Sequence, residues 1–142
     1  MTEGETHPLV RRQIAAQMTI DRFQGKPLVY GMDDCARMTA FCLRKLGVKV
    51  SLLKAGPYKT ELGAARVLKK MGHDSLSDAI DALGLPRIAP AMCLTGDVLA
   101  LPTENGGVAL YVSVGNGRAF GLIDGGFAVG QPSHFVTAWR SI

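Results

Sequence analysis

Apolar positions recur at helical spacing through the first part of the chain and at every second residue through the last third, with the period changing near Pro90. Val10, Ile14 and Met18 stand four apart, which predicts a helix opening near Pro8 with that stripe turned to the core. Gly25-Lys26-Pro27 breaks it. A second helix is predicted to start at Asp33-Asp34, where carboxylates cap free amides and face the positive end of the helix dipole. Cys35, Met38, Cys42 and Leu46 form its buried face, and Gly47 ends it. Gly56-Pro57 marks a loop. Thr60 caps a third helix from Glu61 to Met71, and Ser75 caps a short fourth running to Leu83.

Beyond Pro90 the pattern is that of strands. Asp97 to Leu101 is short and apolar; Val108, Leu110, Val112 and Val114 then alternate with Ala109, Tyr111 and Ser113 as a half-buried strand. Gly115-Asn116-Gly117 signals a hairpin into a strand from Arg118 to Leu122. Asp124-Gly125-Gly126 turns the chain again, into strands from Phe127 to Val129 and from His134 to Arg140. The expected fold is α+β, with N-terminal helices packed on a small antiparallel β-sheet. One domain over 1–142 is expected: an N-terminal helix or arm over 1–24, a helical part over 25–90 and the sheet over 91–142.

Composition narrows this picture. At 142 residues, 47% hydrophobic and 20% charged, the chain is long enough for one core and is no disordered tail. No apolar run approaches a membrane span, and the N-terminus lacks the pattern of a secretory signal. Cys35, Cys42 and Cys93 form no Cys-x-x-Cys, so a reduced protein without a disulfide framework is expected. Neither a cofactor loop nor a metal-ligand spacing occurs, so no cofactor and no metal are expected. The net charge of +4 is uneven. Nine basic residues between Arg37 and Lys70 face one acid, Glu61, giving that segment +8. Solvated helix faces explain most of this, but Arg44, Lys45, Lys49, Lys69 and Lys70 also form a candidate contact surface for an acidic partner. Aromatic interleaving and nucleic-acid motifs are absent.

The candidate chemistry lies in Tyr30-Gly31-Met32-Asp33-Asp34-Cys35-Ala36. A cysteine in the first turn of a helix sits among unpaired amides that favour the thiolate, so Cys35 is the candidate nucleophile. Cys42 and Cys93 have no such setting and read as small core residues. Asp34 acts in the opposite sense if it points inward, since its charge raises the thiol pKa. The lone Trp139 reads as a core residue.

Tyr-Gly-x-Asp-Asp-Cys-Ala at a helix start, then Gly96-Asp97-Val98-Leu99, then a strand ending in Gly115-Asn116-Gly117, resembles the NlpC/P60 family of papain-like cysteine peptidases. The closer resemblance is to small NlpC/P60-like proteins encoded with phage and prophage tail genes, which also finish in a strand like Val136-Thr137-Ala138-Trp139-Arg140. It runs from about Phe23 to the C-terminus and is weak between Ser51 and Pro90. The resemblance implies a cysteine nucleophile at Cys35, supported by Tyr30 and Asp34, and action on bacterial cell-wall peptides.

One departure matters more than the match. The histidine that opens the second strand in those peptidases and takes the thiol proton falls on Ala109, and the residue that orients it falls near Gly121. Tyr111 and Ser113 remain on that strand face, and a phenol with a pKa of about 10 is a poor base at neutral pH. Of the three histidines, His7 precedes the first helix and His73 follows the third. His134, beside the last strand, is the candidate substitute base. The expectation is a degenerate domain in a structural or assembly role, located in a phage-type virion or in the host cytoplasm during assembly. Its partners would be other tail or tail-tip proteins, with peptidoglycan as a further contact. An active cell-wall peptidase or amidase using Cys35, and a binding module docking through residues 37–70, are the alternatives.

Overall fold

The computed structural model describes residues 7–50, 58–104 and 106–142. Among the described residues, four α-helices precede a six-stranded antiparallel sheet: α1 (Pro8–Phe23), α2 (Cys35–Lys45), α3 (Glu61–Lys70), α4 (Leu76–Asp81), β1 (Arg87–Ile88), β2 (Val98–Pro102), β3 (Val108–Gly115), β4 (Arg118–Ile123), β5 (Gly126–Gly130) and β6 (Thr137–Trp139). A 3-10 turn spans Pro90–Met92. The expected α+β class with helices first is observed. β1 is an addition, a two-residue edge strand too short to carry a period. The sheet order is β1-β6-β2-β3-β4-β5, so the last strand inserts beside β2 instead of extending the meander. β6 is shorter than expected: regular pairing starts at Thr137, and His134 before it takes a positive φ of 70°.

The caps form as the side-chain chemistry dictates. Asp34, Thr60 and Ser75 accept from the backbone N–H groups of Arg37, Gly63 and Asp78 at 2.8, 2.9 and 3.1 Å, each satisfying an orphan donor of a helix start. His7 does the same for α1 through Nδ1, accepting from Leu9 N–H at 3.1 Å. Gly47 follows α2 at φ 87°, the left-handed conformation that ends a helix.

α1 is rotated relative to expectation. Its buried residues are Arg12, Ala15, Ala16, Thr19 and Phe23, while Val10, Ile14 and Met18 are exposed. The reason is an ion pair. Arg12 Nη1 donates to Asp97 Oδ1 at 2.7 Å and to the Thr95 carbonyl at 3.0 Å, with both charged side chains almost wholly buried. A buried pair tolerates little displacement. The small side chains on that side also let α1 approach α2 and β3 closely.

Helices cover one face of the sheet. Ala40 and Leu43 of α2 and Ala79 and Ile80 of α4 pack on Val98, Ala100, Leu110 and Trp139. Beside them, Phe23, Met38, Cys42 and Leu46 pack on Val112, Phe120 and Phe127. Fully burying such a leucine or phenylalanine contributes roughly 2–3 kcal/mol. Trp139 lies in this core, as expected, and its Nε1–H donates to Asp81 Oδ1 at 2.8 Å. β3 departs from the half-buried expectation, because Tyr111 and Ser113 are buried on the other face. There Leu99, Tyr111, Ala119 and Ala138 form a second layer with Phe135, whose ring lies 5.7 Å from Tyr111, and Cys93.

Candidate functional site

The segment between α1 and α2 is pinned along β5. Gly25 N–H donates to the Phe127 carbonyl, Phe127 N–H to that of Lys26, and Leu28 N–H to that of Gly125, at 2.9 to 3.1 Å. This anchoring delivers Tyr30 through Cys35 to a fixed place. Gly31 has a φ of 83°, and a Cβ there would sit 2.2 Å from the Tyr58 carbonyl oxygen, so only glycine fits.

Asp34 organises the site. Its Oδ1 accepts from Arg37 N–H at 2.8 Å; its Oδ2 accepts from Gly31 N–H at 2.8 Å and from the Tyr58 hydroxyl at 2.6 Å. One carboxylate thereby caps α2, closes the preceding turn and clamps the approach to α3. Burial and the adjacent Asp34 push the Tyr58 hydroxyl up to about 12. Asp33 turns the other way and pairs with Arg22 at 3.4 Å, so the two neighbouring acids do not act together.

Cys35 is the first residue of α2 and packs against the core beside Val108 and Leu110. Its side chain packs against the core at the sheet, as expected, near the Leu110 backbone N–H and the amides of its own helix start. Those donors favour the thiolate, but burial outweighs them and Asp34 adds to it, so the thiol is pushed up to about 11. The helix-start position therefore does not activate this cysteine. Cys42, buried and partnered by Thr19, and Cys93 are each pushed up to about 11, chiefly by burial.

A cavity of about 430 Å³ opens beside Cys35, between the α2 start, α3 and the entry to β3. Cys35, Asp34, Tyr30 and Ala109 line it together. Ala109 itself packs with Leu101 and Tyr111 on the opposite face of the sheet, so its place in the cavity wall brings no proton-carrying group there. Gly121 is not beside the thiol either. A Cβ on it would lie 2.2 Å from the Tyr111 ring, so its role is to leave room for that ring. Tyr111 faces away from the cavity and donates its hydroxyl to the Leu122 carbonyl at 2.8 Å.

The structure does not bring the histidines to this cavity. His134 is exposed and outside the lining, His7 caps α1, and His73 ends α3 with its N–H on the Leu68 carbonyl. Among the described residues no histidine lines the cavity, and no cluster of metal-ligating side chains occurs. Arg44, Lys45, Lys49, Lys69 and Lys70 are all exposed. The loop expected at Gly56-Pro57 lies outside the described residues.

Sequence reasoning missed Tyr58 and the role of Asp97. Asp97 is fully buried, and besides Arg12 it accepts from the Ser141 and Leu94 backbone N–H groups at 2.8 and 2.9 Å and pairs with Arg140 at 3.1 Å. The Gly96-Asp97 pair was the available signal, because an acid at the start of an apolar strand needs buried partners.

Fold and site together define an α+β protein with a cysteine-bearing cleft between a helix start and a central strand. The chain belongs to the family described as Domain of unknown function (DUF6950), whose model matches residues 8–141. No curated protein matches it. Among the described residues no helix is long and apolar enough to cross a membrane.

Proposed function

We propose that this chain is a degenerate NlpC/P60-like domain of papain-like architecture, acting as a structural or assembly component of a phage-type tail without peptidase activity. The observation that carries this reading is the state of Cys35. Its thiol is held protonated by burial, and the described residues lining its cavity supply no histidine. Acyl transfer needs a thiolate and then a group to protonate the leaving amine, and Tyr30, whose hydroxyl burial and neighbouring negative groups hold above the ordinary 10.0, serves poorly as a base. The order of elements supports kinship: a helix-start Asp-Cys, a Gly-Asp before the first long strand, and a glycine hairpin after the next.

An assembly role draws on the exposed apolar row of α1. Val10, Ile14 and Met18 are 45%, 51% and 38% exposed on a helix whose other side is anchored by the Arg12–Asp97 pair. The test is complementation of tail assembly. Cys35→Ala is expected to support normal particles, whereas Val10→Asp with Ile14→Asp is expected to yield folded protein that is not incorporated. Loss of assembly with Cys35→Ala, or normal assembly with the α1 double variant, overturns the reading.

A further inference from the structure

We infer that the exposed face of α1 is a two-fold interface that takes a second copy of this chain, with the two helices antiparallel and Ile14 at the axis. The inference rests on the assembly role given to that face above and names its first partner.

A two-fold interface sets residue i against residue j and j against i, so a helix face can serve only if it complements its own reversal. About Ile14 that reversal places Val10 on Met18, Arg11 on Gln17 and His7 on Asp21, because the members of each pair lie equally far on either side. With about 100° of rotation per residue, all of these positions fall within about 60° of Ile14, on one face. Every one of them is exposed. Apolar residues therefore meet at the centre, polar ones flank them, and at each end an acid meets a base. A partner of different sequence would need no such symmetry; a second copy does.

Local geometry agrees with the pairing. His7 Nδ1 accepts from Leu9 N–H, so its proton sits on Nε2, a donor left over for Asp21 of a second copy. Asp21 is steadied by Gln17 Nε2 at 2.9 Å, and Arg11 by the Leu46 carbonyl at 2.8 Å. Antiparallel docking also sets the negative end of each helix dipole against the positive end of the other. On the opposite side the buried Arg12–Asp97 pair fixes the rotation of α1, so the face is presented rigidly. One pair of 16-residue helices, about 24 Å long, lies at the small end of specific interfaces, so a concentration-dependent dimer with a Kd of about 10–100 µM is expected.

Sedimentation equilibrium of the full chain between about 5 and 500 µM tests this. The wild type is expected to pass from monomer to dimer and no further, because a two-fold contact closes on itself. Ile14→Asp is expected to stay monomeric with an unchanged circular dichroism spectrum. Asp21→Lys, which brings like charges together, is expected to weaken the dimer about tenfold; adding His7→Asp, which keeps an N-cap, is expected to restore most of the loss. A wild type that is monomeric throughout, growth beyond the dimer, a dimer indifferent to Ile14→Asp, or no recovery in the charge-swapped variant overturns the inference. Incorporation into tails is a separate readout. A monomeric wild type that is still incorporated sinks the two-fold and leaves the assembly reading, whereas a dimer whose Val10→Asp, Ile14→Asp variant assembles normally sinks the assembly reading and leaves the two-fold.

Discussion

Asp34 and Asp97 are both buried carboxylates, and in both the oxygens are committed to holding chain segments together. Removing the charge of Asp97 leaves the Arg12 guanidinium buried without its counterion. Asp97→Asn is therefore expected to cost about 3–5 kcal/mol, read as a lowered midpoint in urea unfolding. Cys35 is the complementary case, a thiol whose burial outweighs its helix-start amides. Its alkylation by iodoacetamide is expected to be slow at pH 7.5 and to climb steadily toward pH 11; a rate that saturates below pH 8 would contradict the assignment. The position of Cys35 at a helix start was legible, because an acid directly before an apolar helical pattern marks an N-cap. Its high pKa was not legible. It depends on burial of the sulfur against the core beside β3, a long-range contact, with the charge of Asp34 adding to it.

At the scale of elements, α1 shows where periodicity misleads. Val10, Ile14 and Met18 make the more regular apolar row, but the buried side is the one with small residues and an arginine that has a partner. Pattern counting assigns arginine to solvent and cannot see an aspartate 85 positions later. Ile14→Gln is therefore expected to change stability by no more than about 0.5 kcal/mol, whereas Ala16→Leu is expected to cost about 1–3 kcal/mol by overpacking. Denaturant titration of the two variants separates the orientations. The helix caps were legible because capping is local chemistry: Asp34, Thr60 and Ser75 each bond within three residues. Strand pairing was half legible. Gly115-Asn116-Gly117 fixed the β3–β4 hairpin, while the insertion of β6 between β1 and β2 is a long-range choice that no local pattern encodes.

For the whole molecule, the three thiols link stability to pH. Each is raised from 9.0 to about 11 in the folded state, mainly by burial. The folded chain then holds protons that the unfolded chain releases, so this contribution is fully present below pH 9 and is lost as pH rises toward 11. Urea midpoints are expected to fall across that window, with a shallower fall in Cys42→Ala. The class of the molecule, helices first and an antiparallel sheet second, could be read from the change of period near Pro90. What the cleft does could not be read so directly, since it depends on which groups three separate elements bring to one sulfur. The central claim, that this cleft does not cut peptides, is tested by incubating the purified chain with a peptidoglycan stem-peptide fragment and following products by mass spectrometry. The account predicts an intact fragment with the wild-type chain and with Cys35→Ala alike; cleavage by the wild type that disappears in Cys35→Ala would contradict it.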